Sequence, residues 1–294
     1  MINNFKTVAI IAKPDGNGVA APLNTLIDLL KRRGIAVRLD ARTAEFATVS
    51  PDKVMARVPL DELIDGADLA IAVGGDGTML GVARIVARHG VPLVGVNLGH
   101  LGFLTDISAD GAAEAVSDLL DGKFHEEQRT LLEAEIIRDG QSIFRSVALN
   151  DVVVSRGAMG TMIEFSVEVN GEFVYSARAD GLIIATPTGS TAYALSAGGP
   201  ILQPGLPAIS LVPISPHTLS NRPIAISSNS EVRVKLLHGL NARVNFDVQS
   251  YFDPTTDDTV SVRAHPKPLR LLHPLGYSYF AMLRTKLHWN ERTS

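Results

Sequence analysis

The sequence predicts two fold classes in series: a parallel α/β domain, then an antiparallel all-β domain. Three observations carry this. In the first third, short apolar runs alternate with helical patterns, the rhythm of strand–helix–strand units on a parallel sheet. From residue 126 the rhythm changes to short β-rich runs broken by turn residues. The tail, Tyr277–Trp289, returns to helical spacing but is too short to be a domain. The expected division is therefore residues 1–125, completed by a C-terminal helix within 275–294, and a β-rich domain over 126–274.

The α/β elements follow in order. Thr7–Ala12 reads as a strand, and Ala20–Arg33 as a helix ended by Gly34. Ala36–Asp40 is a second strand and Ala67–Val73 a third. Met79–His89 has helical spacing, and Pro92–Val96 is a fourth strand. A helix at Ala112–Leu120 closes this part. The β-rich part comprises Leu131–Arg138, Ser142–Leu149, Val152–Ser155, Met162–Val169, Phe173–Ala179 and Leu182–Ala185. It continues with Ala208–Pro213, Glu231–Leu236, Ala242–Phe246, Thr259–Val262 and Leu269–Leu272. Asn170-Gly171 between alternating runs is a strong hairpin signal, because both residues tolerate positive φ.

Composition narrows the function classes. The 294 residues are 46% hydrophobic and 20% charged, as in an ordinary globular protein. A formal net charge of −4 leaves no global basic field for nucleic acid or an anionic membrane. An anionic substrate must then be held by local amide N–H groups, single Arg or Lys residues, or a divalent metal. The absence of cysteine excludes thiol nucleophiles, disulfides and thiolate metal sites, and fits a reducing cytoplasm. Val8–Ala12 is too short and too quickly followed by Lys13-Pro14-Asp15 for a signal peptide. No run approaches the ~18 apolar residues of a membrane helix. The eight histidines are scattered without ligand spacing, which argues against structural zinc, and no metal ligand is assigned.

Gly74-Gly75-Asp76-Gly77-Thr78 sits between a buried strand and a helix. Such a turn brings bare N–H groups to a helix N-terminus, where phosphate binds readily. A carboxylate at its tip makes sense if it binds a metal or takes a proton from an attacking hydroxyl. The bland alternative is ordinary turn chemistry, since Asp caps its own backbone. Asn97-Leu98-Gly99-His100-Leu101-Gly102-Phe103 also lies at a strand's carboxyl end, where open α/β sheets bind ligands. Asn150-Asp151 stands at the junction of two strand-like runs and alone reads as a turn. Thr186-Pro187-Thr188-Gly189-Ser190-Thr191 is a loop of small donors suited to phosphate or ribose oxygens, or else a cap on a helix from Thr191. Arg178 and Asp180 would share one strand face, where a salt bridge is the simple alternative to a binding role.

Together these motifs resemble the bacterial NAD kinases, the enzymes that make NADP from NAD and ATP, in their proteobacterial branch. The match runs through Gly74–Thr78, Gly95–Asp106, Leu149–Asp151, Asp180-Gly181, Thr186–Tyr193, Ser196–Pro200 and Pro213–Pro223, including His217–Arg222. It ends with Tyr279-Phe280 and Leu283–Leu287. The resemblance implies a Rossmann-like parallel α/β domain plus a β-sandwich-like domain, assembled as a homodimer or homotetramer. It implies Asp76 as the catalytic base for the 2′-hydroxyl of the adenosine ribose, with Gly75 and Gly77 in the same nucleotide-binding loop. It places Asn150 and Asp151 in the NAD pocket. Thr161, Arg178, Asp180, Thr191, Ala192, Tyr193, Ala194, Leu195, Ser196 and Gln249 fall where family members contact NAD. ATP and a divalent ion, Mg²⁺ first, are implied as partners in a cytoplasmic transferase. Two departures stand out. The acid after Asn150 is often Glu and here is Asp151. The family's Phe-Asp-Gly-Gln is here Phe246-Asp247-Val248-Gln249. A lipid kinase of the same glycine-aspartate superfamily is disfavoured, because Leu80-Gly81 stands where its Asn-Glu pair typically falls. A non-catalytic NAD sensor is opposed only by the presence of Asp76.

Overall fold

The computed structural model describes residues 5–48, 54–99, 102–157, 161–218 and 220–289, with the side chains of 54–58 outside that description. The chain divides into two compact units, residues 1–128 with 269–294, and residues 129–268.

The first unit carries β1 (Thr7–Ala12), α1 (Ala20–Arg32), β2 (Ala36–Asp40), β3 (Val54–Val58), α2 (Leu60–Ile64), β4 (Leu69–Val73), α3 (Asp76–His89) and β5 (Leu93–Asn97). β6 (Ile107–Ser108), α4 (Ala112–Leu120), β7 (Phe124–Arg129), β20 (Leu269–Pro274) and α6 (Tyr279–Lys286) complete it. One eight-stranded sheet runs β3-β2-β1-β4-β5-β20-β7, with β6 beside β5. Its β1–β2, β1–β4, β4–β5, β2–β3, β5–β6 and β5–β20 pairs are parallel. α1 buries Leu23, Leu26, Ile27 and Leu30, a 3.6-period stripe, together with Val116 and Leu119 of α4 and alternate strand residues such as Ile10 and Ile71. α3 packs on β4 and β5 outside that cluster, where β4 presents the small Ala70 and Ala72. Its C-terminus closes at Gly90, whose φ of +70° lets Gly90 and Val91 turn back onto Ala87 and Val86.

Most strands and helices lie within two residues of the sequence reading. Leu269–Leu272 differs: its sequence reads as one more antiparallel strand, yet β20 pairs in parallel with β5 in the first sheet. Strand propensity says that a run is extended and nothing about its neighbour. β3, α2, β6, β7, β15 (Ile224–Ser227) and β18 (Ser250–Phe252) have no counterpart in the sequence reading. β7, Phe-His-Glu-Glu-Gln-Arg, is polar because its charges are paired: Glu126 with Arg270 at 2.8 Å and Glu127 with His273 at 3.1 Å.

The second unit is antiparallel throughout its paired strands. β8 (Leu132–Arg138), β9 (Gln141–Ala148), β11 (Ile163–Val169), β12 (Glu172–Ala179), β16 (Val232–His238) and β19 (Thr259–Ala264) form one sheet, in the order β12-β11-β16-β19-β8-β9. β10 (Asp151–Arg156), β13 (Gly181–Ala185), β14 (Ala208–Ile214), β17 (Ala242–Phe246), β15 and β18 form the other, in the order β15-β14-β13-β10-β17-β18. Alternate residues of both sheets share one core, among them Ile136, Phe165 and Val234 from the first and Val154, Ile184 and Leu211 from the second. That is a sandwich. The hairpin between β11 and β12 turns at Asn170 (φ 54°) and Gly171 (φ 79°), as the Asn-Gly pair predicts. β13 is buried on both faces: Leu182 and Ile184 face the sandwich, while Ile183 and Ala185 join Ala194 of α5 (Tyr193–Ser196).

Candidate active site

In the first unit, β4 delivers the chain to the carboxyl edge of the sheet, where the Gly74 N–H still donates to Val96 at 2.8 Å. Gly75 caps α3 with extended backbone, and Asp76 is the helix's first residue. A negative charge there is favoured by the helix dipole. A Cβ on Gly75 or Gly77 would meet nothing within 4 Å, and neither residue needs a left-handed φ. Packing therefore does not demand glycine at these two positions. The open space lets a ligand approach the backbone closely.

The Asp76 carboxylate is held by the chain that follows β5. Its Oδ2 accepts the Phe103 N–H at 2.9 Å, and its Oδ1 accepts the Leu104 N–H at 3.1 Å and the Thr105 hydroxyl at 3.3 Å. A Cβ on Gly102 would overlap this carboxylate, so the close approach requires glycine there. His100 and Leu101, part of the same motif, lie outside the described residues, as does Leu219. The next residue, Asp106, places Oδ2 2.8 Å from Nδ1 of the buried His273, which stacks on Tyr277 at 3.9 Å between ring centres. A cavity of about 790 Å³ opens here, lined by Asp106, Tyr277, Met282 and Lys286.

In the second unit, Asn150 and Asp151 stand where β9 passes into β10. Three successive N–H groups, of Leu149, Asn150 and Asp151, point at the Asp247 carboxylate at 2.7, 2.7 and 3.1 Å. Asp247 is only 3% exposed. Asp151 is buried too, and desolvation, then the Asp247 charge, push its carboxyl up to about 7. The Thr186–Thr191 loop closes on the same turn. Thr186 Oγ1 donates to the Leu149 carbonyl at 2.6 Å, and its N–H donates to the Asn150 carbonyl at 2.9 Å. A Cβ on Gly189 would overlap that Asn150 carbonyl. Ser190 Oγ accepts the Leu202 N–H at 2.9 Å, and the buried Arg129 reaches Thr188 Oγ1 at 3.3 Å. Most hydroxyls of the loop are thus spent on its own structure.

The structure brings together Asn150, Asp151 and this loop, from which Thr191, Ala192, Tyr193, Ala194, Leu195 and Ser196 continue as a 3₁₀ turn and α5. Ala194 is buried and Tyr193 and Ser196 are exposed. Gln249 is exposed on the turn after β17, directly beyond Asp247. Thr161 is exposed before β11. Asp180 pairs with Arg156 Nε at 2.7 Å. The simple alternative for Arg178, a salt bridge to Asp180, is not formed: Arg178 is exposed on β12, and its carbonyl accepts the His217 N–H. Two structural residues escaped the sequence reading. Asp247 and Thr105 are buried polar residues, and only the three-dimensional pairing shows what each holds.

Residues 8–124 match the family model described as the ATP-NAD kinase N-terminal domain, and residues 149–273 match the ATP-NAD kinase C-terminal domain. A protein of Aromatoleum aromaticum named NAD kinase is 48% identical over 99% of this chain and 96% of its own length. One of Nitrosomonas europaea, also named NAD kinase, is 49% identical over 97% of this chain and 96% of its own. The crystal structure of an NAD kinase from Archaeoglobus fulgidus in complex with ATP is similar with a TM-score of 0.76 and 26% identity, over 96% of this chain and 98% of that one. Yeast NADH kinase complexed with NADH shares the fold, with a TM-score of 0.88 at 24% identity, over 99% of this chain and 89% of that one.

Proposed function

The chain belongs to the ATP-NAD kinase family, whose reaction makes NADP from NAD and ATP, and on that premise we propose that Asp76 is its catalytic base. The observation that carries this is the placing of Asp76. It is a carboxylate at the first residue of α3, flanked by two glycines with open space before them and anchored from behind by main-chain N–H groups.

A ribose hydroxyl is a poor nucleophile at neutral pH. Asp76 takes the proton of the 2′-hydroxyl as that oxygen attacks the γ-phosphorus of ATP. The new O–P bond forms as the bond from the γ-phosphorus to the β-phosphate oxygen breaks, and ADP leaves with that electron pair. Backbone at Gly75 and Gly77 lies against the nucleotide phosphates. Asn150 and Asp151 bind NAD, Asp151 able to donate or accept a hydrogen bond near neutral pH because its carboxyl is pushed up to about 7. Thr161, Arg178, Asp180, the Thr191–Ser196 segment and Gln249 complete the NAD contacts. Asp180 arrives already oriented by Arg156.

ATP enters with a divalent ion, Mg²⁺ first. Among the described residues no group of three or more His, Asp or Glu side chains is arranged to hold a cation, so no residue is assigned to it. When bound, the ion offsets phosphate charge. Assembly as a homodimer or homotetramer and a cytoplasmic location belong to the same reading. No helix among the described residues is long and apolar enough to cross a membrane.

The test is steady-state NADP formation by wild type and Asp76→Asn. The substitution lowers kcat by more than ~10² while circular dichroism and unfolding stay unchanged. Near-normal turnover in folded Asp76→Asn removes the base assignment.

A further inference from the structure

We propose that Thr105 is a positioning residue for Asp76, a role that rests on Asp76 being the base: its single hydroxyl proton is committed to Asp76 Oδ1, which leaves Oδ2 as the oxygen that receives the substrate proton. The argument is an accounting of donors and acceptors. Asn97 Oδ1 accepts the Gly99 N–H at 2.7 Å, which fixes the orientation of the Asn97 amide and turns Nδ2 toward Thr105. Nδ2 then donates to Thr105 Oγ1 at 2.6 Å, and the Gly102 N–H is shared between the Thr105 carbonyl at 3.0 Å and the same Oγ1 at 3.1 Å. A hydroxyl has two acceptor lone pairs and one proton. Both of these neighbours are donors, so among the described residues the acceptor for the hydroxyl proton is Asp76 Oδ1, at 3.3 Å.

The same accounting separates the two oxygens of Asp76. Oδ1 receives two donors, the Leu104 N–H and the Thr105 hydroxyl. Oδ2 receives one donor among the described residues, the Phe103 N–H, and has a lone pair left to accept a proton. Thr105 is fully buried and Asn97 is 5% exposed, so water does not substitute for either. Gly102 leaves the room into which the carboxylate fits. Without the hydroxyl, Oδ1 loses one of its two holds and the carboxylate turns more freely about its Cβ–Cγ bond. Oδ2 then faces the substrate hydroxyl for a smaller fraction of the time. The step itself is unchanged in balance: the ribose O–H proton passes to Oδ2, the O–P bond forms, and ADP departs.

The experiment compares wild type, Thr105→Val, Thr105→Ser and Asp76→Asn by steady-state kinetics and by calorimetric NAD binding. Thr105→Val keeps the shape and loses the hydroxyl. It lowers kcat about tenfold and leaves the NAD Kd within about twofold, while Thr105→Ser stays within about threefold of wild type in both. If the Val variant does not fold, Thr105→Ala carries the same expectation. Wild-type kcat in a folded, hydroxyl-free variant, with Asp76→Asn inactive, overturns the positioning role and leaves the base in place. Loss of kcat and of NAD affinity by the same factor also overturns it, since that marks a merely structural role. Turnover by Asp76→Asn instead removes the base reading itself.

Discussion

The Asp247 carboxylate accepts the main-chain N–H of Asp151 at 3.1 Å, and its charge helps to hold the Asp151 carboxyl protonated up to about pH 7. Two acids thus share one buried turn, one gathering backbone donors and the other denied them. Asp151's carboxyl is raised in the fold, to about 7 from 3.8, so its contribution to stability is complete below pH 3.8 and is lost as pH rises through 7. Asp151→Asn abolishes that loss. Urea unfolding at pH 5 and pH 8 is expected to show the variant gaining on wild type by about 3 kcal/mol between the two.

Asp247 has the opposite role. Three N–H groups, two buried and that of Asn150 part-buried, lose their acceptor in Asp247→Ala. Each orphaned buried donor costs about 1 kcal/mol or more, so the variant is expected to lose about 3 kcal/mol. Denaturant titration measures this directly, and a loss below about 1 kcal/mol would show that the turn relaxes onto other acceptors.

Val248 follows Asp247 with φ at 58° and is 89% exposed. A β-branched residue is strained in the left-handed region, and no burial compensates it here. The resembling family often has glycine at this place. Val248→Gly is expected to raise stability by about 1 kcal/mol, read as a higher unfolding midpoint with an unchanged m-value. No gain would mean that the turn stores no strain.

Gly102→Ala places a methyl where the Asp76 carboxylate sits. The variant is expected to lower kcat more than tenfold, on the order of what an ångström of misplacement costs a catalytic group. Unchanged kcat would mean that the Asp76 carboxylate does not need its observed position.

Much of the fold was legible because hydrophobic period and turn chemistry are local. Thr7–Ala12 and Ala36–Asp40 have the bounds read from the sequence, and Asn170-Gly171 makes its hairpin. What failed was not local. β20 looks like any β-rich run, and only its pairing with β5 places it in the first sheet. β7 hides its strand because its charges meet partners more than a hundred residues away, as Glu126 does at Arg270. The site divides in the same way. Asp76 announces itself by its glycine setting, whereas Asp247 and Thr105 act through groups that the fold alone brings to them.

The most direct measurement is a rapid-quench single turnover of ATP and saturating NAD on wild type and Asp76→Asn, with NAD binding measured on both. The account predicts NADP from wild type, a rate lower by more than ~10² in the variant, and NAD affinity retained. Equal single-turnover rates in two proteins that bind NAD alike would contradict it.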